Sequence, residues 1–213
     1  MVLEMNTKEN MLSHLKKYGW ALIENYWSKE KCDEALNQIK SIPPQAFDEW
    51  TQGGDARCQH SNRFSPLANE FMNDSFIQSI ATGYGTCHVV DRTLAGIVMH
   101  QEGKATDSGG GWHVDCERET QFKAFMYLTD VSEKNGPFTF IQKSKELASS
   151  LPKHDNLRIS EEAIKENVNP DDIIEFVAPA GTLIVADTTF PHRGKQIEEG
   201  SRFTITNYYY DEE

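Results

Sequence analysis

Residues 181–210 read GTLIVADTTFPHRGKQIEEGSRFTITNYYY. Two runs rich in β-branched and aromatic residues, 181–188 and 201–210, flank a polar stretch holding proline and glycine. Apolar runs of this length bounded by turn formers predict strands. The same pattern recurs upstream in HVVDRTLAGIVMHQ (88–101), TQFKAFMYLTDV (120–131), GPFTFIQK (136–143) and IIEFVAP (173–179). The dipeptides Asn135-Gly136 and Ala180-Gly181 predict tight connections between neighbouring strands. Strands that follow one another without intervening long helices favour a sandwich or barrel of the jelly-roll kind over a parallel α/β sheet.

The amino-terminal third has a different character. SKEKCDEALNQIKSI (28–42) places Cys32, Ala35, Leu36 and Ile39 at helical spacing, with Ser28 as N-cap and Pro43-Pro44 as terminator. A weaker helix is expected over 6–17, and one or two more in ANEFMNDSFIQSIA, ahead of a turn at 83–85. The expected organisation is therefore one domain over 1–213, with 1–85 as mainly helical support and 86–210 as a β core. A polar insertion at about 144–171, helical in part from Ser160, is expected to lie on the surface. The segment GGDARCQHSNRFSP (53–66) is expected to be a surface loop; its Arg57 is a candidate substrate contact should the loop reach the barrel mouth.

At 213 residues, with 38% hydrophobic and 25% charged residues, the chain suits one substantial core. Its 33 acidic against 21 basic residues give a net charge of −12, which repels nucleic-acid backbones and leaves a small substrate or a protein partner. No apolar run approaches membrane-spanning length and no secretory signal is visible, so no membrane association and a cytoplasmic location are expected. Cys32, Cys58, Cys87 and Cys116 form no CxxC pair, in keeping with a reducing compartment. Oligomeric state leaves no signal in the sequence.

Chemistry concentrates around GGGWHVDCE (109–117). The glycines are not a phosphate loop, since no Gly-Lys-Ser/Thr follows. They suit a flexible connection able to close over a substrate, or a plain solvent loop. On an extended strand residues two apart point the same way, so His113 and Asp115 can converge on one ion. Two imidazoles and one carboxylate form the facial arrangement that leaves an iron ion open to oxygen and a co-substrate. HxD alone also suits a surface hydrogen bond or a turn. His192, at the end of the strand in GTLIVADTTF, is the candidate third ligand, a position that also suits a turn histidine. Arg202 opens the next strand, with Thr204 on the same face, and together they offer a planar fork and a hydroxyl to a carboxylate.

With HxD, YLTDVSEKNGPFTFIQKSK, AGTLIVADTTFPHRG and Arg202 in this order, the chain resembles the phytanoyl-CoA hydroxylase-like branch of the iron(II)/2-oxoglutarate-dependent oxygenases. The resemblance extends upstream to KKYGWALIENYWSKEKCDEALNQI, which is similar to the helical lead-in of that family. It implies a double-stranded β-helix, cupin-like in architecture, with Fe(II) on His113, Asp115 and His192. Arg202 would hold the far carboxylate of 2-oxoglutarate, and Phe125 would stand near that co-substrate. The implied reaction consumes molecular oxygen and hydroxylates a small molecule with release of succinate and carbon dioxide. The presence of Asp115 favours hydroxylation, or another hydrogen-abstraction outcome, over halogenation. The chain departs from the family at IQKSK, where a Pro-Gly-Ser-His turn is common. If Phe125 faces inward, alternation sends Lys123 and Tyr127 the same way, Tyr127 toward substrate and Lys123 toward 2-oxoglutarate or an acidic substrate group, or, as a barrel-rim lysine, toward solvent. His100 is a further candidate substrate contact. The alternatives are a cupin-like metalloprotein that does not use 2-oxoglutarate, for which Arg202 has no purpose, and a non-catalytic binding module on the same fold.

Overall fold

The computed structural model describes residues 7–50, 55–85, 87–99, 108–115, 120–143, 145–153 and 157–211. Four helices come early: α1 (Lys8–Tyr18), α2 (Lys29–Lys40), α3 (Pro66–Met72) and α4 (Ser75–Tyr84). Each starts on a side-chain cap, in turn Thr7, Ser28, Ser65 and Asp74, whose oxygen accepts an N–H of the first turn. The strand between α1 and α2, β1 (Trp20–Ile23), was not foreseen within a segment read as helical; it pairs antiparallel with β9 (Leu183–Asp187). Two more strands lie in the same third, β2 (Asp48–Trp50) and β3 (Asp55–Cys58). The second corrects the surface-loop expectation, because β3 pairs with β4 (Cys87–Met99) and places Arg57 opposite Gly96.

The remaining strands are β5 (Ser108–His113), β6 (Gln121–Tyr127), β7 (Phe138–Ile141), β8 (Ile173–Glu175), β10 (His192–Gly194) and β11 (Ser201–Asp211). They form a seven-stranded sheet in the order β1-β9-β6-β11-β4-β3-β2 and a four-stranded sheet in the order β5-β10-β7-β8. From β4 onward the chain alternates between sheets, apart from β7 and β8, which are neighbours. Asn135-Gly136 and Ala180-Gly181 therefore do not join neighbouring strands as the turn chemistry suggested. Each lies where the chain crosses from one sheet to the other. Gly181 adopts φ +86, and a Cβ there would lie 2.1 Å from the Trp27 carbonyl oxygen, so the crossing needs a glycine.

Alternation along the central strands sorts the core into two layers. Phe122, Ala124, Met126, Leu183, Val185 and Ile205 face the helices, joining Met11, Leu15, Ala35, Ile39 and Ile77. Tyr127, Ile184 and Ala186 face the small sheet, joining Phe138, Phe140, Phe176 and Phe190, with Phe125 packed beside them. Both faces of the large sheet are thus covered, which is why β9, LIVAD, is buried at every position.

The insertion between β7 and β8 forms α5 (Lys145–Ser150) and α6 (Glu161–Asn167), the latter capped by Ser160 as its sequence predicts. It is not merely a surface excursion. Leu151, Ile159, Ala163, Ile164 and Val168 bury themselves against Trp112, Val114 and Ile141. The Ile159 N–H donates to the Trp112 carbonyl at 2.9 Å and the Val114 N–H to the Leu157 carbonyl at 3.2 Å, so the insertion covers the free edge of β5.

Candidate metal centre

His113 ends β5 and His192 begins β10, and the two are direct partners across that antiparallel pair. Their rings lie 4.3 Å apart between centroids. Asp115 lies beyond the end of β5 rather than on it, a departure from the strand argument; its N–H donates to the Thr188 carbonyl at 3.0 Å, which fixes the bend. One ligand atom from each of His113, Asp115 and His192 lies within 4.8 Å of the others. Asp115 Oδ1 is 3.8 Å from His113 Nε2, and Asp115 Oδ2 is 3.5 Å from His192 Nε2. Each separation falls inside the span of about 4.2 Å that two donors about 2.1 Å from one ion can reach, the first measured to Oδ1 and the second to Oδ2.

Protonation suits a metal. His113 Nδ1 sits 2.8 Å from the Gly111 carbonyl and His192 Nδ1 2.9 Å from the Phe190 carbonyl. A carbonyl can only accept, so each Nδ1 carries the proton and each Nε2 presents a lone pair. Burial, helped by the neighbouring His192, pushes the His113 pKa down to about 3. Burial also lowers that of His192. The contacts to Asp115 are therefore not ion pairs but neutral imidazoles facing a carboxylate. Gly111 makes the first carbonyl available: it adopts φ +90 within β5, which corrects the reading of 109–111 as a loop.

Burial works against the Asp115 charge, yet the Lys123 ammonium beside it holds its carboxyl well below the usual range. Lys123 Nζ lies 2.5 Å from Asp115 Oδ2, and Gln121 Nε2 donates to the same oxygen at 3.2 Å. Lys123 enters the barrel as alternation predicts, and its ammonium meets the candidate metal carboxylate, with the Tyr208 ring 4.7 Å away.

Arg202, 6% exposed, and Thr204, half-buried, share the inner face of β11, where Thr204 is the register partner of both Gly96 and Tyr127. Arg202 Nη1 is buried with no hydrogen-bond partner among the described residues, though the side chain interacts elsewhere. Phe125 stacks 4.8 Å from Phe138, which in turn stands 5.5 Å from the His192 ring. Tyr127 is corrected from substrate contact to structural tie: it is 1% exposed, donates to the Phe176 carbonyl at 3.2 Å and accepts from the Phe138 N–H at 3.0 Å. Arg57 is half-buried on β3, and His100 lies outside the described residues. Sequence reasoning missed Gln121, the Gly111 carbonyl and Arg158, which bridges His113 from the insertion. Only Gln121 left a signal, being in phase with Lys123.

The donor set fits a divalent first-row ion: two neutral imidazole nitrogens and an ionised carboxylate on one side of a site walled by aromatic rings. No protein-family model matches the chain, and no curated protein matches it. Solved structures do. The epimerase SnoN, solved with Fe3+, alpha ketoglutarate and nogalamycin RO, is 14% identical, with 96% of this chain and 83% of that one covered at a TM-score of 0.73. HygX from Streptomyces hygroscopicus, solved with nickel, 2-oxoglutarate and hygromycin B, is 13% identical, with 96% and 87% covered at 0.70. A Pseudomonas putida prolyl-4-hydroxylase is 12% identical, with 97% and 100% covered at 0.66. These likenesses, with the alternating sheet order, establish the fold as a double-stranded β-helix.

Proposed function

We propose that this chain is a single-domain non-haem Fe(II)- and 2-oxoglutarate-dependent oxygenase of the phytanoyl-CoA hydroxylase-like kind, acting on a small molecule with release of succinate and carbon dioxide. The observation that carries the reading is the convergence of His113, Asp115 and His192 with both imidazoles held neutral. Structural neighbours support it: SnoN solved with Fe3+ and alpha ketoglutarate, HygX with nickel and 2-oxoglutarate, and EctD from S. alaskensis with 2-oxoglutarate and 5-hydroxyectoine.

Iron and 2-oxoglutarate, when bound, would supply oxygen activation and the two electrons that accompany decarboxylation. The chain's own contribution is positional. The Gly111 and Phe190 carbonyls orient the imidazoles, while Lys123 and Gln121 hold Asp115 by Oδ2 and leave Oδ1 for a metal. Arg202, buried on the inner face of β11, offers its planar fork to the far carboxylate, with Thr204 as a further donor. Phe125, Phe138 and Phe190 exclude water from the wall beside the imidazoles.

Anaerobic Fe(II) plus 2-oxoglutarate should give the weak visible charge-transfer band of the chelate. Arg202→Ala should weaken 2-oxoglutarate binding sharply, and His192→Ala should remove the band. A cupin-like protein that ignores 2-oxoglutarate would bind the metal and show no band. Because one structural neighbour is an epimerase, turnover is best followed as succinate release rather than as a hydroxylated product.

A further inference from the structure

Among the described residues, the side-chain donors that reach the Asp115 carboxylate all fall on one of its oxygens. Backbone and side chain alike tie the residue to the start of β6. The Asp115 N–H donates to the Thr188 carbonyl at 3.0 Å, the Thr188 N–H donates to the Gln121 carbonyl at 2.7 Å, and Gln121 Nε2 returns to Asp115 Oδ2 at 3.2 Å, closing a ring. Two residues along the same face, Lys123 Nζ reaches that oxygen at 2.5 Å. The lysine stem lies between its register partners, Ala186 on β9 and Tyr208 on β11. At 8% exposed it has little room to swing away.

The other oxygen, Oδ1, accepts no hydrogen bond from a described residue and stands 3.8 Å from His113 Nε2. This asymmetry bears on how the carboxylate meets a metal, because an unrestrained carboxylate can chelate an ion through both oxygens. Oδ2 is itself 3.5 Å from His192 Nε2, close enough to join the same ion in the absence of the ammonium. With the ammonium in place, a divalent ion about 2.1 Å from Oδ2 would lie within about 4.6 Å of Nζ, and like charges at that distance in a largely buried site repel strongly. Gln121 alone does not prevent chelation, since a neutral N–H and an ion can share one oxygen. The facial ligand set leaves positions open for co-substrate and oxygen, and a second Asp115 oxygen would close one of them.

We propose that Lys123 is a positioning residue that confines Asp115 to coordination through one oxygen, lowering metal affinity while keeping a coordination position open to 2-oxoglutarate. The co-substrate half rests on the oxygenase reading above, so the metal is measured both without and with 2-oxoglutarate. Co(II) affinity is determined anaerobically against a competing chelator. 2-Oxoglutarate is titrated calorimetrically into protein saturated with Ni(II). The carboxylate stretches of isotope-labelled aspartate are recorded as the infrared difference between Co(II)-loaded and metal-free protein. Wild type should show the wide separation between asymmetric and symmetric stretches that marks a one-oxygen ligand. Lys123→Met, which keeps an unbranched stem and removes the charge, should narrow that separation, bind Co(II) about tenfold or more tighter and bind 2-oxoglutarate about tenfold or more weaker. Lys123→Arg should restore the wide separation and bring both affinities back toward wild type. A role in folding alone would lower both affinities together, so that result for Lys123→Met, with its thermal midpoint intact, overturns the proposal. A narrow separation in wild type overturns it as well. If Ni(II)-loaded wild type binds 2-oxoglutarate and Lys123→Met shifts neither affinity, Lys123 has no such role and the oxygenase reading stands. If wild type binds Co(II) but Ni(II)-loaded wild type takes up no 2-oxoglutarate, the oxygenase reading fails and the Co(II) and infrared results alone judge Lys123. Should Lys123→Met not fold, Lys123→Gln decides by the same criteria.

Discussion

Lowering the pH from about 7.5 to about 5.5 should leave the affinity of the His113, Asp115 and His192 site for Co(II) nearly unchanged. Two solvated imidazoles with an ordinary pKa near 6.5 would pass from about 90% neutral to about 9% neutral over that interval, a loss of roughly tenfold per ligand and about 100-fold for the pair. Here burial, with His192 close by, holds His113 down to about 3, and burial lowers His192 as well. A proton therefore does not compete for His113 Nε2 across the interval, and the lowered His192 resists it as well. Asp115, held below the usual carboxylate range, stays ionised throughout. The expected loss is less than about threefold. The measurement is the visible absorption of Co(II) titrated anaerobically against a competing chelator, without 2-oxoglutarate, with the chelator's own pH dependence removed. A loss near 100-fold would show that both imidazoles titrate as if in water, and the argument from buried, carbonyl-pinned rings would be wrong. A loss near tenfold would confine the depression to one ring.

The metal-free protein should lose stability as the pH falls through the same range, because the unfolded chain protonates His113 near 6.5 whereas the folded chain resists until about 3. The unfolded state then binds more protons, so stability rises with pH between those values. Urea unfolding at about pH 5 should show a deficit of about 2 kcal/mol from this residue relative to neutral pH, and His113→Gln should flatten the dependence. Tyr127→Phe should cost about 1–3 kcal/mol, because it strips the partner from two buried backbone groups, Phe138 N–H and Phe176 C=O; a loss below about 0.5 kcal/mol by urea unfolding would show that the two sheets are not tied there. Gly111→Ala forces an alanine to φ +90 where nothing crowds the Cβ. The cost is conformational, about 1–2 kcal/mol, and Co(II) affinity should fall as the carbonyl that orients His113 moves; unchanged affinity would mean that the ring is held by packing alone.

The candidate metal ligands are legible because each leaves a local mark. His113 and Asp115 stand two apart beside a β run, and His192 and Arg202 punctuate the ends of apolar strands. Alternation also placed Lys123, Phe125 and Tyr127 on one face correctly. What alternation cannot supply is the partner that each side chain meets across the barrel. Lys123 on β6 meets Asp115 from the other sheet, and Tyr127 spans to Phe138 on β7 and to Phe176 just past β8. The short strands β1, β2 and β10 have three or four residues each, too few for a period to emerge. β3 was hidden by polar residues that suit a loop as well as a sheet edge, and the crossing turns at 135–136 and 180–181 carry the same residues a hairpin would.

The insertion shows why composition misleads about a site. Residues 144–171 are polar on average, yet Leu151, Ile159, Ala163 and Ile164 are enough to seal it onto Trp112 and Val114. Once the segment is seated there, backbone pairing rather than any side-chain motif carries Arg158 to His113. Charge behaves similarly. The net −12 is a property of the whole chain, but Lys123 and Arg158 both bring positive charge to Asp115, and Arg202 is buried on the inner face of β11. Because opposite charges near a ligand act through low dielectric while surface charges are screened over about 8 Å, the interior sign, and not the total, decides which small molecules this barrel can hold.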